Sequence, residues 1–295
     1  MTYNHNDKAG NQGDVIKHLA LIAAIDTLLG MKAYKSKPFR YCDTFAGYSS
    51  SQLICGKEWK EGIGRLYSRI NATKNMALCT ELSGNPHVEL YRDLYLTGRP
   101  NFVGKSYPGS SLIVHDLCVR HGVVPRFSLW DTSPAAIESL MTTYKGSNHS
   151  IFTHPAKHDD GNIRNADFVL IDPPMAPIKR RGGLCWGEMI QFMSPQRGNF
   201  LFWLPIDFRK SKGKMIENTR EQREDAVSKG LSALQVRWKK NENSIKTVGC
   251  QLFYRFEGSA HLALEAAVKH ICDMLDWRVD VPRLDKDQSR SFTND

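Results

Sequence analysis

Three apolar stretches of this sequence run into an aspartate. Phe39-Arg40-Tyr41-Cys42 precedes Asp43, Phe127-Ser128-Leu129-Trp130 precedes Asp131, and Phe168-Val169-Leu170-Ile171 precedes Asp172. The third continues as Asp172-Pro173-Pro174, joining a carboxylate to a carbonyl whose direction is held by two rings of fixed φ. Both groups accept hydrogen bonds. That pairing suits the two N–H groups of an exocyclic aromatic amine such as adenine N6, whose lone pair is delocalised into its ring. Held by two acceptors, the nitrogen can pyramidalise toward an electrophilic methyl group. Asp and Pro are also common where an ordinary strand runs into a loop, so the surrounding fold decides between the readings.

Asp131 is placed to accept hydrogen bonds from two ribose hydroxyls, as acids do at this point of doubly wound nucleotide-binding folds. It equally suits an N-terminal cap for the helix that Ser133-Pro134 starts. Asp43-Thr44-Phe45-Ala46-Gly47 offers one glycine, Gly47, where backbone could approach a cofactor; the loop is neither a G-x-G-x-x-G nor a Walker loop. Lys17 and His18 fall inside a helical pattern, where a buried or capping histidine is the more frequent reading. Tyr107-Pro108-Gly109-Ser110 reads as a tight turn with Ser110 capping a helix. Two basic loops, Lys179-Arg180-Arg181 and Arg209-Lys210-Ser211-Lys212-Gly213-Lys214, follow strands and belong on the strand-end rim, where a phosphate backbone would pass. A solvated charged face is the alternative. His149, His154 and His158, with Asp159 and Asp160, fit neither a helix face nor a zinc spacing, and no metal is expected.

The elements that must position these residues alternate. Val15, Ile16, Leu19, Ile22, Ile25, Leu28 and Leu29 recur at helical spacing, predicting a long helix from Asp14 to about Tyr34. Strands are expected at Phe39–Asp43, Arg126–Trp130, Ile151-Phe152, Ala166–Ile171, Asn199–Leu204, Ala233–Trp238 and Thr247–Phe256. Helices are expected after Ser110, at Ala135–Tyr144, in the basic stretch Lys210–Ser228 and at Ala260–Leu275. Between about Ser51 and Lys105 strand character is lost, and helical stretches appear near Gly62–Asn71 and His87–Leu96. The expected class is α/β, a mostly parallel doubly wound sheet with a small helical insertion. The core would comprise residues 1–50 and 106–283, the insertion 51–105, and a loose tail 284–295. Ligands of such sheets bind beyond the carboxyl ends of the strands, at the switch in strand order. All three aspartates belong there.

Composition narrows the partner. The chain has 295 residues, 41% of them hydrophobic, which suffices for a substantial core. No window approaches the ~18 apolar residues of a membrane helix, and the first residues, Met1 to Asp7, are polar, so a soluble cytoplasmic protein is expected. Seven dispersed cysteines without a C-x-x-C pair suggest free thiols. Forty basic against 31 acidic residues leave a net charge of +9, which favours a polyanionic partner.

Tyr3-x-His5, Ala9-Gly10-Asn11-x-x-Asp14-Val15-x-Lys17-His18, Asp43-Thr44-x-Ala46-Gly47, Glu61-Gly62-Ile63, Tyr107-Pro108-Gly109-Ser110 and Ile171-Asp172-Pro173-Pro174 stand in that order, from the first residues to about Leu204. This pattern resembles the bacterial adenine-N6 methyltransferases of large-subunit (23S) ribosomal RNA, a family also described as proteins involved in catabolism of external DNA. The N-terminal A-G-N-x-x-D-V-x-K-H block is its most specific part. The resemblance implies a Rossmann-like S-adenosylmethionine-dependent methyltransferase whose partner is 23S rRNA, with a monomer favoured. Carried over by position, Lys17, His18, Ser110 and Asp131 would contact S-adenosylmethionine, beside the Asp43 to Gly47 loop. Asp172 would be the catalytic acceptor, flanked by Pro173 and Pro174, and Tyr3 would lie near the substrate base. Asp160-Gly161 best matches the loop that cradles the cofactor's adenine. Two positions depart from the family: Met175 stands where an aromatic follows D-P-P, and Phe45 where a histidine stands in the D-T-H-A-G block. They motivate an alternative, a catalytically weak or inactive nucleic-acid-binding relative.

Overall fold

A computed structural model of the chain describes residues 8–53, 58–73, 84–96, 105–173, 198–207, 222–238 and 247–280. Its first helix, α1 (Gln12–Gly30), is preceded by Asn11, whose side chain accepts the Asp14 N–H at 3.0 Å while Asp14 Oδ2 accepts the Gly10 N–H at 2.9 Å. The two side chains thereby satisfy backbone donors that a helix start leaves open. Nearly all of α1 is buried, polar Lys17 and His18 included, because it is sandwiched between the sheet and an outer helical layer. The helix expected to reach Tyr34 stops at Gly30. Met31 is extended (ψ 143°), and a single turn, α2 (Lys32–Lys35), follows. Glycine favours the helix least of all residues but proline, and the break falls there.

The strands β1 (Phe39–Asp43), β4 (Pro125–Trp130), β5 (Ser150–Phe152), β6 (Phe168–Ile171) and β7 (Asn199–Asp207) are mutually parallel. The antiparallel β9 (Thr247–Arg255) follows β7 in the sheet. Next come β8 (Ser232–Arg237), which again runs with β7, and the edge strand β10 (Arg278–Asp280). The full order is β10-β8-β9-β7-β6-β1-β4-β5. From β1 the chain winds outward through β4 and β5, then returns to β6 on the other side. The switch point is therefore the crevice between the carboxyl ends of β1 and β6. The α/β doubly wound class read from the sequence is the one observed.

Helices α1, α5 (Ser110–His121) and α9 (Ala260–Leu275) cover one face. Helices α3 (Ile63–Thr73) and α4 (Pro86–Tyr95), from the segment read as a helical insertion, pack onto α9, and α4 also onto α1. Tyr91 of α4 is fully buried in the same core cluster as Tyr41 and Phe127. On the other face α7 (Gly161–Arg164) and α8 (residues 222–228) lay Ile163 and Ala226 over Val169, Phe200 and Phe253. Helix α6 (Pro134–Thr143) lies between β4 and β5 in sequence.

Three strands differ from the sequence reading. Ser50–Gln52 (β2) pairs antiparallel with Ser106–Pro108 (β3), where strand character was thought lost and a simple turn was expected. Ser-Ser-Gln carries no apolar alternation, so only the pairing partner, more than fifty residues on, makes it a strand. Strand β10 was unforeseen because Arg-Val-Asp holds a single apolar residue. Of the helix expected over Lys210–Ser228, only the part from residue 222 lies within the described residues.

Candidate functional site

Asp43 closes β1 and is fully buried. Its Oδ2 accepts the Ser110 hydroxyl at 2.5 Å and the Tyr41 hydroxyl at 3.0 Å, and its Oδ1 accepts the Phe45 N–H at 3.2 Å. Burial pushes the carboxyl up to about 6; the nearby charge of Asp172 adds to the rise, against the opposing hydrogen bonds. Beyond Asp43 the loop opens between the two neighbouring strands. Thr44 N–H donates to Leu170 O of β6 (3.1 Å) and Ala46 N–H to Trp130 O of β4 (2.8 Å). Gly47 then turns back with φ +62°. Its N–H donates to Asp131 Oδ2 at 2.8 Å, while Asp131 Oδ1 accepts the Ser133 N–H at 2.7 Å. Asp131 therefore closes a turn onto Ser133, the residue before α6, whose first turn carries no side-chain cap, and the same carboxylate ties β4 to the glycine loop after β1.

Asp172, one residue past β6, meets Lys17 Nζ at 2.6 Å. The same ammonium bonds Asp14 Oδ1 at 2.9 Å, and only 7% of the lysine side chain is exposed. Burial alone would lower the Lys17 pKa, but the two carboxylates outweigh it and hold the ammonium well above its ordinary value. The Nζ also lies 5.8 Å from the centre of the Trp203 ring, a cation–π distance. Trp203 is one residue beyond the Ile171–Phe202 pair, so it stands level with Asp172 on the neighbouring strand. Gly13 of α1 is what lets the indole in, since a Cβ there would lie 2.7 Å from Trp203 Cζ2.

His18, one residue on, faces α5's side. Its Nδ1 lies 3.0 Å from Tyr107 Oη, the rings stack at 5.2 Å, and Tyr107 Oη meets Tyr91 Oη at 3.0 Å. The Tyr107 to Ser110 turn packs on the glycine loop so tightly that a Cβ at Gly109 would lie 2.1 Å from Tyr48 O. Asp160 caps the short α7 through the Asn162 N–H (2.7 Å), with the exposed Gly161 as its first residue. His149 belongs to the packing: it stacks on Phe127 at 4.5 Å and its Nδ1 accepts the Phe127 N–H. Tyr3, Pro174, Met175, Lys179, Arg180 and Arg181 lie outside the described residues, as does the basic loop 209–214.

The structure thus gathers Lys17, His18, Asp43, Gly47, Ser110, Asp131 and Asp172 around one crevice. Ser110 spends its hydroxyl on Asp43, and Lys17 its ammonium on Asp172. Four residues of this arrangement have no site role in the sequence reading: Asp14 and Tyr107, which stand in its motifs, and Tyr91 and Trp203, which stand in none. Asp14 carried a signal, being three residues before Lys17 on one helix face. The others depend on long-range packing.

The site is acidic. Four carboxylates, Asp14, Asp43, Asp131 and Asp172, belong to this arrangement, and one lysine pairs with two of them, Asp14 and Asp172. Such an acceptor set fits a small cationic ligand with hydroxyls to donate. Among the described residues no helix is long and apolar enough to cross a membrane, and Cys42, Cys118, Cys250 and Cys272 are buried free thiols.

Comparison with known proteins adds a lineage. No family model matches the chain. The ribosomal RNA large subunit methyltransferase J of Haemophilus influenzae is 31% identical over 192 residues, covering 62% of this chain and 57% of that protein. The chain thus spans little more than half the length of that relative. The protein of the same name from Escherichia coli is 24% identical over 232 residues, 74% of this chain and 75% of its own. Among solved structures, protein LPL1258 of Legionella pneumophila, of family DUF519, superposes with a TM-score of 0.63 at 18% identity, covering 92% of this chain and 98% of its own.

Proposed function

We propose that this chain, which belongs to the family of ribosomal RNA large subunit methyltransferase J, transfers a methyl group from S-adenosylmethionine to the N6 amine of an adenine in 23S ribosomal RNA. The fold is the Rossmann-like one of S-adenosylmethionine-dependent methyltransferases. The observation that carries the reading is the position of Asp172: a carboxylate at the switch point, followed by proline, and held by a buried lysine. A plain strand exit has no use for such a lysine.

S-adenosylmethionine, when bound, supplies an activated methyl group on its sulfonium. The chain's own residues do the rest by positioning. Asp131 offers its remaining lone pairs to two ribose hydroxyls and stays aimed because Gly47 and Ser133 hold its oxygens. Asp43, fixed by Ser110 and Tyr41, sets a negative charge at the centre of the crevice, suited to the cofactor's cationic end. Asp172 and the Pro173 carbonyl accept the two N6–H bonds of an adenine turned out of its stack, which exposes the nitrogen lone pair. Lys17 keeps Asp172 aimed, and Asp14 anchors Lys17.

The test has two parts. Calorimetric titration with S-adenosylmethionine should give saturable binding that Asp131→Ala weakens at least tenfold. Methyl transfer to deproteinised large-subunit ribosomal RNA, with the product nucleoside identified by mass spectrometry, should yield N6-methyladenosine and vanish in Asp172→Ala. Near-full turnover by Asp172→Ala would remove the acceptor assignment. Saturable cofactor binding without transfer to any RNA would favour the binding-only relative that Phe45 and Met175 suggest.

A further inference from the structure

The sheet carries a cationic feature away from the acidic crevice. Arg237 ends β8, and its cross-strand partner on β10 is Arg278. Residues directly opposed on antiparallel strands share a face, and like charges there destabilise the ladder. Arg223 of α8 reaches that face too, since it bonds Asp280, which is two residues beyond Arg278 on β10. Among the described residues, the acid paired with the cluster is Asp280, bonded to Arg223 at 3.0 Å. That carboxylate, bonded to Arg223, is itself largely exposed.

The arginines are rigidly presented. Trp238 follows Arg237 and Trp277 precedes Arg278; both indoles are buried, with ring centres 5.8 Å apart. Alternation along a strand sends neighbouring side chains to opposite faces, so the tryptophans anchor both strands on the α9 side while the arginines project from the other. Arg237 and Arg278 are exposed. Their end of the sheet matters as well. Because β8 runs with β7, Arg237 is at a carboxyl end, on the rim that carries Asp43, Asp131 and Asp172. Register places Arg237 level with Ile206, about 10 Å above Asp172 and roughly 14 Å across three strand spacings. About five or six stacked nucleotides cover that distance.

We propose that Arg223, Arg237 and Arg278 form a phosphate-binding patch that grips the backbone of the RNA substrate on the β8–β10 side of the rim, away from the reacting base. The proposal rests on the RNA reading above and adds a surface to it. Guanidinium groups match phosphate oxygens in fork geometry and need no sequence information, so the patch positions RNA without selecting it. Phosphate in place of the missing acids also relieves the repulsion between the opposed arginines.

The experiment is equilibrium binding of the full chain to a deproteinised 23S ribosomal RNA transcript, followed across a salt series. Arg237→Ala/Arg278→Ala should bind about tenfold more weakly at 100 mM salt, with the slope of log K against log salt shallower by about two, one per arginine. The charge-reversed Arg237→Glu/Arg278→Glu should bind more weakly still. Arg126→Ala, at the opposite end of the sheet, should leave the slope unchanged. All variants should keep the wild-type S-adenosylmethionine affinity, since the exposed side chains are outside the crevice, and the alanine pair should unfold at or above the wild-type midpoint, since the opposed charges are gone. Wild-type RNA affinity and slope in the folded double variants would overturn the patch and leave the RNA reading standing. A wild-type chain that bound no RNA at any salt would overturn both.

Discussion

Replacing Lys17 by methionine keeps the length and apolar stem of the side chain and removes its charge. The structure makes this a severe change. Lys17 is the shared partner of Asp14 at 2.9 Å and Asp172 at 2.6 Å, and those side chains are 16% and 14% exposed. Breaking a buried pair by deleting one partner typically destabilises by about 3–5 kcal/mol, because a charge is left uncompensated. Two carboxylates would be stranded here, though each retains some water, so about 3 kcal/mol is expected, roughly a hundredfold in the unfolding constant. Urea unfolding monitored by fluorescence at pH 7 measures it. The sign with pH is fixed by the raised lysine pKa: the contribution is complete below its ordinary value of 10.5 and is lost only as pH rises through the folded value. The deficit of Lys17→Met should therefore be the same at pH 6.5 and pH 9. Adding Asp172→Asn to Lys17→Met removes one stranded charge and should restore about 1–3 kcal/mol relative to the sum of the single effects. A Lys17→Met protein within about 1 kcal/mol of wild type, or a double variant that is simply additive, would refute the ion-pair account of how Asp172 is held.

Other perturbations follow from the same geometry. Asp43 is buried with a carboxyl pushed up to about 6 from its ordinary 3.8, so its protonated form stabilises the fold below pH 4 and that contribution is lost as pH rises through 6. Asp43→Asn abolishes this titration; its stability relative to wild type should rise by up to about 3 kcal/mol between pH 4 and pH 7, and a difference that stays flat with pH would sink the argument. Gly62→Ala puts a Cβ 2.2 Å from Gly10 O and 2.3 Å from Asn11 C, both backbone atoms that cannot swing aside. Thermal unfolding should show a loss of about 1–3 kcal/mol or more, whereas an unshifted midpoint would mean the two loops do not touch. Tyr91→Phe removes the hydroxyl that meets Tyr107 beside His18, and should lower stability by about 1 kcal/mol in urea unfolding; an unchanged midpoint would mean the hydroxyl pair contributes nothing.

The parts of this fold legible in the sequence are those whose information is local. Strands β1, β4 and β6 are apolar runs stopped by an acid, and their order around α1 places three aspartates at one edge of the sheet. The strand-end position of Asp131 could be read because the apolar run before it is local. Other features were closed to local reading. Strand β2 is Ser-Ser-Gln and exists through its ladder with β3; β10 holds one apolar residue and exists through its ladder with β8. The contact between Lys17 and Asp172 joins residues 155 positions apart, and the one between Ser110 and Asp43 joins residues 67 apart. No periodicity encodes either, so the sequence placed Lys17 and Ser110 near the site without the partners they hold.

The N-terminal block shows why so long a motif is needed for so small a task. Asn11, Asp14 and Lys17 are spaced by three, which sets them on one side of the first turns of α1. Asn11 caps the helix through Asp14 N–H, Asp14 ties back to Gly10 and forward to Lys17, and Lys17 reaches Asp172. Each link fixes the next, so the helix start determines where the β6 carboxylate points. The glycines at 10 and 13 belong to the same device: one turns the chain with φ +76° against the Gly62 loop, the other admits the Trp203 ring beside the lysine. The methyl transfer proposed above relies on positioning and needs the carboxylate held at rest, since an aspartate free to rotate would meet an amine in the right orientation only part of the time. A buried lysine with a second carboxylate behind it supplies that restraint, and the carboxylate behind it, unlike a metal or a lone salt bridge, is itself anchored to the backbone of the helix start.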